Sequence, residues 1–316
     1  MNSVSDAKLV TNAQLDTAFT ELEEAIQKKI LQFIWIDERN PDDSELAEVT
    51  RFIGAACASI FKQPNPLEFD PIAESLRAVA IAFGADVKDH GIKLGFGDPD
   101  LDAIQSAQID MGRWRGEFGE SMRYEYLERL PGIAVNHGGV CMYQLDRTIT
   151  LGHIYARYRW DAWNIATQAT AAVESLTESH SADVLIGMAV VIAVGTLFTG
   201  VGGIIEAGLA QKALALGGSS LIIGGTLGGA LAPSDADKVP LGGRGPHEVA
   251  ANIATAFVLN DRQLDDELAE FQNTLEEFAE ELDKYMAMPT TREHPLRPIM
   301  PAWSGDVEED LVIHYK

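Results

Sequence analysis

The alternation of apolar and polar positions divides the chain into a series of helices set around one long uncharged stretch. Residues 13–36 place Leu15, Phe19, Leu22, Ile26, Ile30 and Phe33 at steps of three and four, which aligns one apolar face of a helix. Asn40-Pro41-Asp42-Asp43 interrupts it, and Asp43 or Ser44 caps a second helix through Phe61, with Leu46, Val49, Ile53, Cys57 and Ile60 on its face. Gln63-Pro64-Asn65-Pro66 forces a loop. Pro71 then opens a third helix whose pattern turns Ile72, Leu76, Val79 and Phe83 inward. GIKLGFGDPD, from Gly91, reads as a glycine-broken connector. Its Asp98, Asp100 and Asp102 are read as a helix cap, because a calcium loop needs a glycine and a glutamate at places where neither falls.

Leu101, Ile104, Ala107, Met111, Trp114, Phe118 and Met122 continue a helical stripe to Leu130, where Leu130-Pro131-Gly132 predicts a break. A second long helix follows from about Val140 to Leu176, carrying Leu145, Ile149, Ile154, Tyr158, Ala162, Ile165 and Val173. The two arms form a helix–turn–helix hairpin. A last long helix runs from His247 to about Met286. Its Leu264, Leu268, Phe271, Leu275, Phe278 and Leu282 alternate steps of four and three, the spacing of a coiled-coil seam. The rest of it is acidic, so the seam needs a partner, either the hairpin at 101–176 or a second chain. The tail from Met288 is punctuated by prolines and reads as extended, with Trp303 as an anchor.

Between these helices lies the least polar part of the chain. Val184 to Ile205 carries no ionisable side chain; Glu206 and Lys212 mark a short charged tip, and Ala213 to Ser234 is again uncharged. Each arm is about as long as a helix must be to cross a ~30 Å bilayer core. Glycine costs a helix in water roughly 1 kcal/mol relative to alanine. Between crossed helices it allows close approach instead, and Gly202, Gly203, Gly224 and Gly228 are read in that role. Two readings stay open: a membrane-inserting hairpin and the buried centre of a bundle or oligomer. Loops at the Gly-Gly pairs are a third. The organisation expected is 1–94 amino-terminal helices, 95–180 helical hairpin, 181–234 apolar hairpin, 235–246 flexible linker, 247–288 acidic helix and 289–316 tail. The fold class is all-α, an elongated helical bundle.

Charge narrows the partners. Asp and Glu outnumber Lys and Arg by 48 to 24, a formal charge of −24 that repels nucleic acid and anionic lipid. The expected partner is therefore a helical protein or a second copy of the chain, with a membrane as a further candidate and nucleic acid excluded. Cys57 and Cys141 sit in apolar contexts outside any metal or redox motif and read as packing residues. MNSVSDAKLVTNAQLD has neither a basic region nor an apolar core. The expectation is a secreted or cell-envelope protein without a cleavable signal, cytoplasmic before a machine that reads a folded element exports it.

Trp114-Arg115-Gly116, in the frame MGRWRGEFGESM, resembles the Trp-x-Gly signature of the WXG family of proteins exported by type VII (ESX) secretion systems. The resemblance covers residues 95–180 and rests on Trp114 and Gly116. In the family the tripeptide lies in the turn of a helical hairpin, and a Tyr-x-x-x-Asp/Glu signal follows the second helix. Here Trp114 precedes Pro131-Gly132, and the literal match, Tyr124 to Glu128, falls on the first arm. The resemblance implies a type VII secretion substrate or accessory protein in which Trp114 and Gly116 pack near the bend and the hairpin meets a helical partner.

Catalytic patterns are missing from the sequence. The seven histidines form no HExxH or zinc cluster, no Gly-x-Ser-x-Gly elbow or phosphate loop occurs, and no Glu-x-x-His pair serves a di-iron bundle. His137 and His153 read as structural. The expectation is a non-enzymatic protein without cofactor or metal, in which 184–233 is sheltered by the acidic helices and swings out at the linker, the more readily at acidic pH. An α-helical pore-forming protein and a soluble oligomeric subunit are the alternatives.

Overall fold

The structure, a computed structural model, describes residues 9–36, 43–83, 85–88, 91–94, 103, 106–107, 109–110, 114–175, 185–187, 238–241, 246–289, 296–297 and 312–313. Six helices are used below: α1 (Asn12–Ile36), α2 (Asp43–Lys62), α3 (Asp70–Ala82), α4 (Glu117–Ser121), α5 (Leu130–Ser175) and α6 (Pro246–Ala287). The fold is all-α, as its periodicity predicts. Among the described residues three two-stranded pairings of two to four residues per strand are added to it.

α5 is the axis. At 46 residues it is about 69 Å long at 1.5 Å per residue, and α1, α3 and α6 all pack along it. α1 begins with a reciprocal cap: the Gln14 amide donates to Thr11 Oγ1 at 3.2 Å and the Thr11 amide donates to Gln14 Oε1 at 2.9 Å. Its buried face is Leu15, Ala18, Phe19, Leu22, Ala25 and Ile26. Ile53 and Ile60 of α2 join it, together with Ile154, Tyr158, Ile165 and the alanines 162, 166, 169 and 172 of α5. From α6 come Val249, Ile253, Phe257, Leu264 and Phe271. Phe19 stacks on Phe257 with ring centroids 5.4 Å apart, and Tyr143 on Phe278 at 3.9 Å. The alanine stripe of α5 is what lets α1 and α6 come close, since each of the four is 0 % exposed. The seam of α6 thus finds its partner within the chain, on α5, with Leu275 left exposed.

Several expectations are corrected. The 101–130 stripe is not one helix: Trp114–Arg115 forms a strand, β3, followed by α4 and a π-helical turn over Met122–Leu127. Pro131-Gly132 does not break the chain but lies in the first turn of α5. Proline is tolerated there because its missing N–H would have had no helical acceptor. The connector after α3 is a hairpin, β1 (Ala85–Lys88) with β2 (Gly91–Leu94), in register Ala85↔Leu94 to Lys88↔Gly91. α3 turns Ala73 and Ala80 inward against Met142, Leu145 and Ile149, leaving Ile72 and Val79 about half exposed at 51 % and 45 %. Small residues win that face because α3 lies close on α5.

The linker is corrected as well. Lys238–Pro240 is a strand, β5, paired antiparallel with β4, Leu185–Gly187, so that Leu185 faces Pro240, Ile186 faces Val239 and Gly187 faces Lys238. Leu185–Gly187 is therefore strand and not helix, and the residues on either side of 188–237 are paired with each other. The tail returns to the bundle twice: Leu296 is buried against Tyr285, and β6, Val312–Ile313, pairs with β3. Trp303 lies outside the described residues. No helix among the described residues is long and apolar enough to cross a membrane.

Candidate functional site

The most concentrated chemistry is a buried polar layer where α5 faces α6 and the start of α1. Arg157 ion-pairs with Glu267 across the helix interface, and its Nε lies 3.5 Å from Asp161 Oδ2 one turn along α5. The carboxylate side chains are nearly closed to water, Asp161 at 2 % and Glu267 at 9 % exposure. One guanidinium therefore faces two carboxyls. Asp161 Oδ2 and Glu267 Oε2 accept no hydrogen bond among the described residues. Burial pushes the Asp161 carboxyl up to about 7, with Arg157 opposing and the Glu267 charge adding. Burial likewise pushes Glu267 up to about 6, opposed by Arg157 and reinforced by Glu270.

Beside this triad the Tyr158 hydroxyl donates to Asp261 Oδ1 at 2.5 Å, and Asn260 Nδ2 donates to the Tyr158 carbonyl at 3.3 Å. Burial, then Asp261, raises the Tyr158 phenol, so it stays a donor at any ordinary pH. Arg159 donates to the Asn12 side chain and to the Val10 carbonyl, tying the start of α1 to α5. Further along α5, Arg147 Nη2 lies 3.1 Å from Asp146 Oδ2, and its guanidinium sits 5.1 Å from the Tyr143 ring centroid. Burial raises the Asp146 carboxyl against the opposing Arg147 charge. Charged groups in a helix core are costly unless paired. α5 carries this layer midway between its apolar ends.

The residues read from the sequence are not brought together here. Trp114 pairs through its backbone with Ile313, and Gly116 stands at the N-terminal edge of α4 with φ 92°, which a side chain would strain. Helical residues lie on both sides of them, 109–110 before and α4 after. Gly202, Gly203, Glu206, Lys212, Gly224 and Gly228 fall outside the described residues. Tyr124 and Glu128 border an open cleft with Ile109 and Arg123. His137 stacks on Phe83 at 5.5 Å and contacts the Leu296 carbonyl at 3.2 Å, joining α3, α5 and the tail. Cys57 and Cys141 are free, half-buried thiols whose burial raises them above the usual range. Among the described residues no His, Cys, Asp and Glu group could hold a metal ion.

Sequence reasoning missed the polar layer. Its signal was present as the Arg157 to Asp161 spacing of four, with Arg159 between them, on a helix whose other charged residues are Asp146, Arg147 and Glu174. On sequence alone that spacing reads equally well as a solvated face. Comparison with protein-family models, with curated proteins and with solved structures gives no match.

Proposed function

We propose that this chain is a non-enzymatic delivery module: a type VII secretion substrate or accessory protein whose helical bundle carries 188–237 to a membrane, where that stretch inserts as a hairpin. The observation that supports the membrane part is the pairing of β4 with β5. A hairpin entering a bilayer from one side needs its two ends side by side, and the residues flanking 188–237 are paired in that way. Residues 188–205 and 213–232 carry no ionisable side chain, and each would span roughly 27–30 Å as a helix. Glu206 and Lys212 form the polar tip, and Gly202, Gly203, Gly224 and Gly228 allow the arms to cross closely. The export part rests on Trp114 and Gly116 alone.

Size-exclusion chromatography with light scattering, with and without liposomes, tests the membrane part. Co-elution with lipid is expected, and Val194→Asp should abolish it, since a carboxylate in mid-bilayer costs about 2.5–3.5 kcal/mol. A soluble assembly that ignores lipid at neutral and mildly acidic pH overturns it in favour of an oligomeric subunit. The export part is tested in a host with an active type VII system: the wild type should reach the culture filtrate and Trp114→Ala should stay in the cells. Equal export of both refutes the assignment.

A further inference from the structure

We propose that Arg157, Asp161 and Glu267 form a proton-loaded clasp between α5 and α6, in which the two carboxyls share one proton around a single guanidinium and loss of that proton loosens α6 from α5. The inference is independent of export and of membrane insertion. It starts from charge count and geometry. Arg157 reaches Glu267 across the interface and Asp161 along its own helix, so a fully ionised cluster carries one uncompensated negative charge in a site nearly closed to water. A buried carboxylate without a second donor is relieved by protonation, and both Asp161 Oδ2 and Glu267 Oε2 lack one among the described residues.

Burial favours the protonated form of both carboxyls; Arg157 opposes it on each, and the neighbouring carboxylates reinforce it. Arg157 and Glu267 act on Asp161, while Arg157 and Glu270 act on Glu267. The next polar contact along α6, Asp261, is engaged by Tyr158. α1 and α2 reach this part of α5 through Leu15, Phe19, Ile53 and Ile60, which share the buried cluster with Tyr158 and Ala162. Among the described residues the positive charge acting on the two carboxyls is the Arg157 guanidinium. With one proton aboard, the cluster is neutral and the ion pair is balanced; without it, two like charges flank Arg157 and the interface separates more easily. The clasp closes on acidification through the neutral range and opens on alkalinisation.

Hydrogen exchange on the full chain from pH 5.5 to 8, corrected for intrinsic rates, reads the clasp directly. Amides of α6 between Phe257 and Phe271 should exchange at least tenfold faster at pH 8 than at pH 5.5 in the wild type. In Asp161→Asn they should show little dependence on pH. Relief of the overall negative charge acts on both proteins alike, so the difference between them isolates the cluster. Glu267→Gln, which removes the other carboxyl, should flatten the profile in the same way and serves if the first variant does not fold. Carbon NMR of the labelled carboxyls gives a second readout, with Asp161 or Glu267 titrating well above the exposed carboxylates. An unchanged pH profile in the variants, or both carboxyls titrating in the ordinary range, overturns the proposal.

Discussion

If β4 and β5 close the base of the uncharged stretch, a disulfide placed across them should form readily and should not impede lipid contact. The perturbation is Ile186→Cys with Val239→Cys, the middle pair of the ladder. Directly opposed antiparallel residues have Cα atoms about 4.5–5.5 Å apart, inside the range that a disulfide spans without moving backbone. Cys57→Ala and Cys141→Ala remove the competing thiols, which burial already keeps protonated and slow to react. The bond closes a loop of about 50 residues, and the chain-entropy relation gives about 4 kcal/mol for a loop of that size. At roughly 2–4 °C per kcal/mol for a chain of this length, the oxidised protein should melt on the order of 8–15 °C above its reduced form.

Intact mass under non-reducing conditions counts the thiols, calorimetry with and without reductant reads the stability, and liposome co-elution reads the consequence. Two free thiols in a protein that keeps its helical circular dichroism would refute the pairing. A disulfide that forms but abolishes lipid binding would keep the pairing and refute insertion with a closed base, restoring a stretch that must swing free at 235–246.

Three further outcomes follow from the buried layer and the alanine stripe. Tyr158→Phe deletes the donor to Asp261 and keeps the ring, so the urea midpoint should fall by the equivalent of about 1–2 kcal/mol with the slope unchanged; an unaltered midpoint removes the bond from the account. Ala166→Leu adds volume where α1 and α6 close on α5 and should cost about 1–3 kcal/mol, while Thr167→Leu on the exposed side should stay within about 0.5 kcal/mol; equal effects refute the close packing. The folded-state carboxyls of Asp161 and Glu267, near 7 and 6, lie above their unfolded values, so the native state holds more protons than the unfolded chain between about pH 4 and 7. Stability should therefore fall as pH rises from about 4 to 7 and be regained on acidification. The contribution of the coupled pair is on the order of 2–4 kcal/mol, at 1.36 kcal/mol per pH unit, and a thermal midpoint in Asp161→Asn that falls as steeply from pH 5.5 to 8 as the wild type's refutes it.

What was legible in the sequence was what local periodicity determines. Leu15, Phe19, Leu22 and Ile26 predict α1 and its buried face, and Leu264, Phe271 and Phe278 predict the seam of α6. The misses share a different cause. Trp114 continues a helical stripe in its own neighbourhood, yet its backbone pairs with Ile313, and no local window contains that partner. Pro131-Gly132 reads as a break, but a proline one residue inside a helix start reads the same way. In α3 the rule that large apolar residues face inward fails because Ala73 and Ala80 fit the narrow gap against α5. Arg157, Asp161 and Glu267 look like solvated charge until α5 is known to be enclosed by α1, α3 and α6, and enclosure is a property of the assembled fold.

That enclosure also constrains how the chain would meet a bilayer. Among the described residues the interior holds Arg147, Arg157 and Arg159 beside Asp146, Asp161 and Glu267, so these groups contribute little to the formal −24. The exposed side of α6 carries part of it: Asp265, Asp266, Glu270, Glu276, Glu277 and Glu280 all face solvent. Such a surface is repelled by anionic headgroups over a Debye length of about 10 Å at 0.1 M salt. Lipid contact must then come from the uncharged stretch alone, against an electrostatic penalty set by the bundle. Binding should be several-fold stronger to phosphatidylcholine vesicles than to vesicles rich in phosphatidylglycerol at low salt, and the difference should shrink as salt rises. Stronger binding to the anionic vesicles at low salt would mean that a basic surface makes the contact, and the uncharged stretch would lose its place as the element that touches lipid.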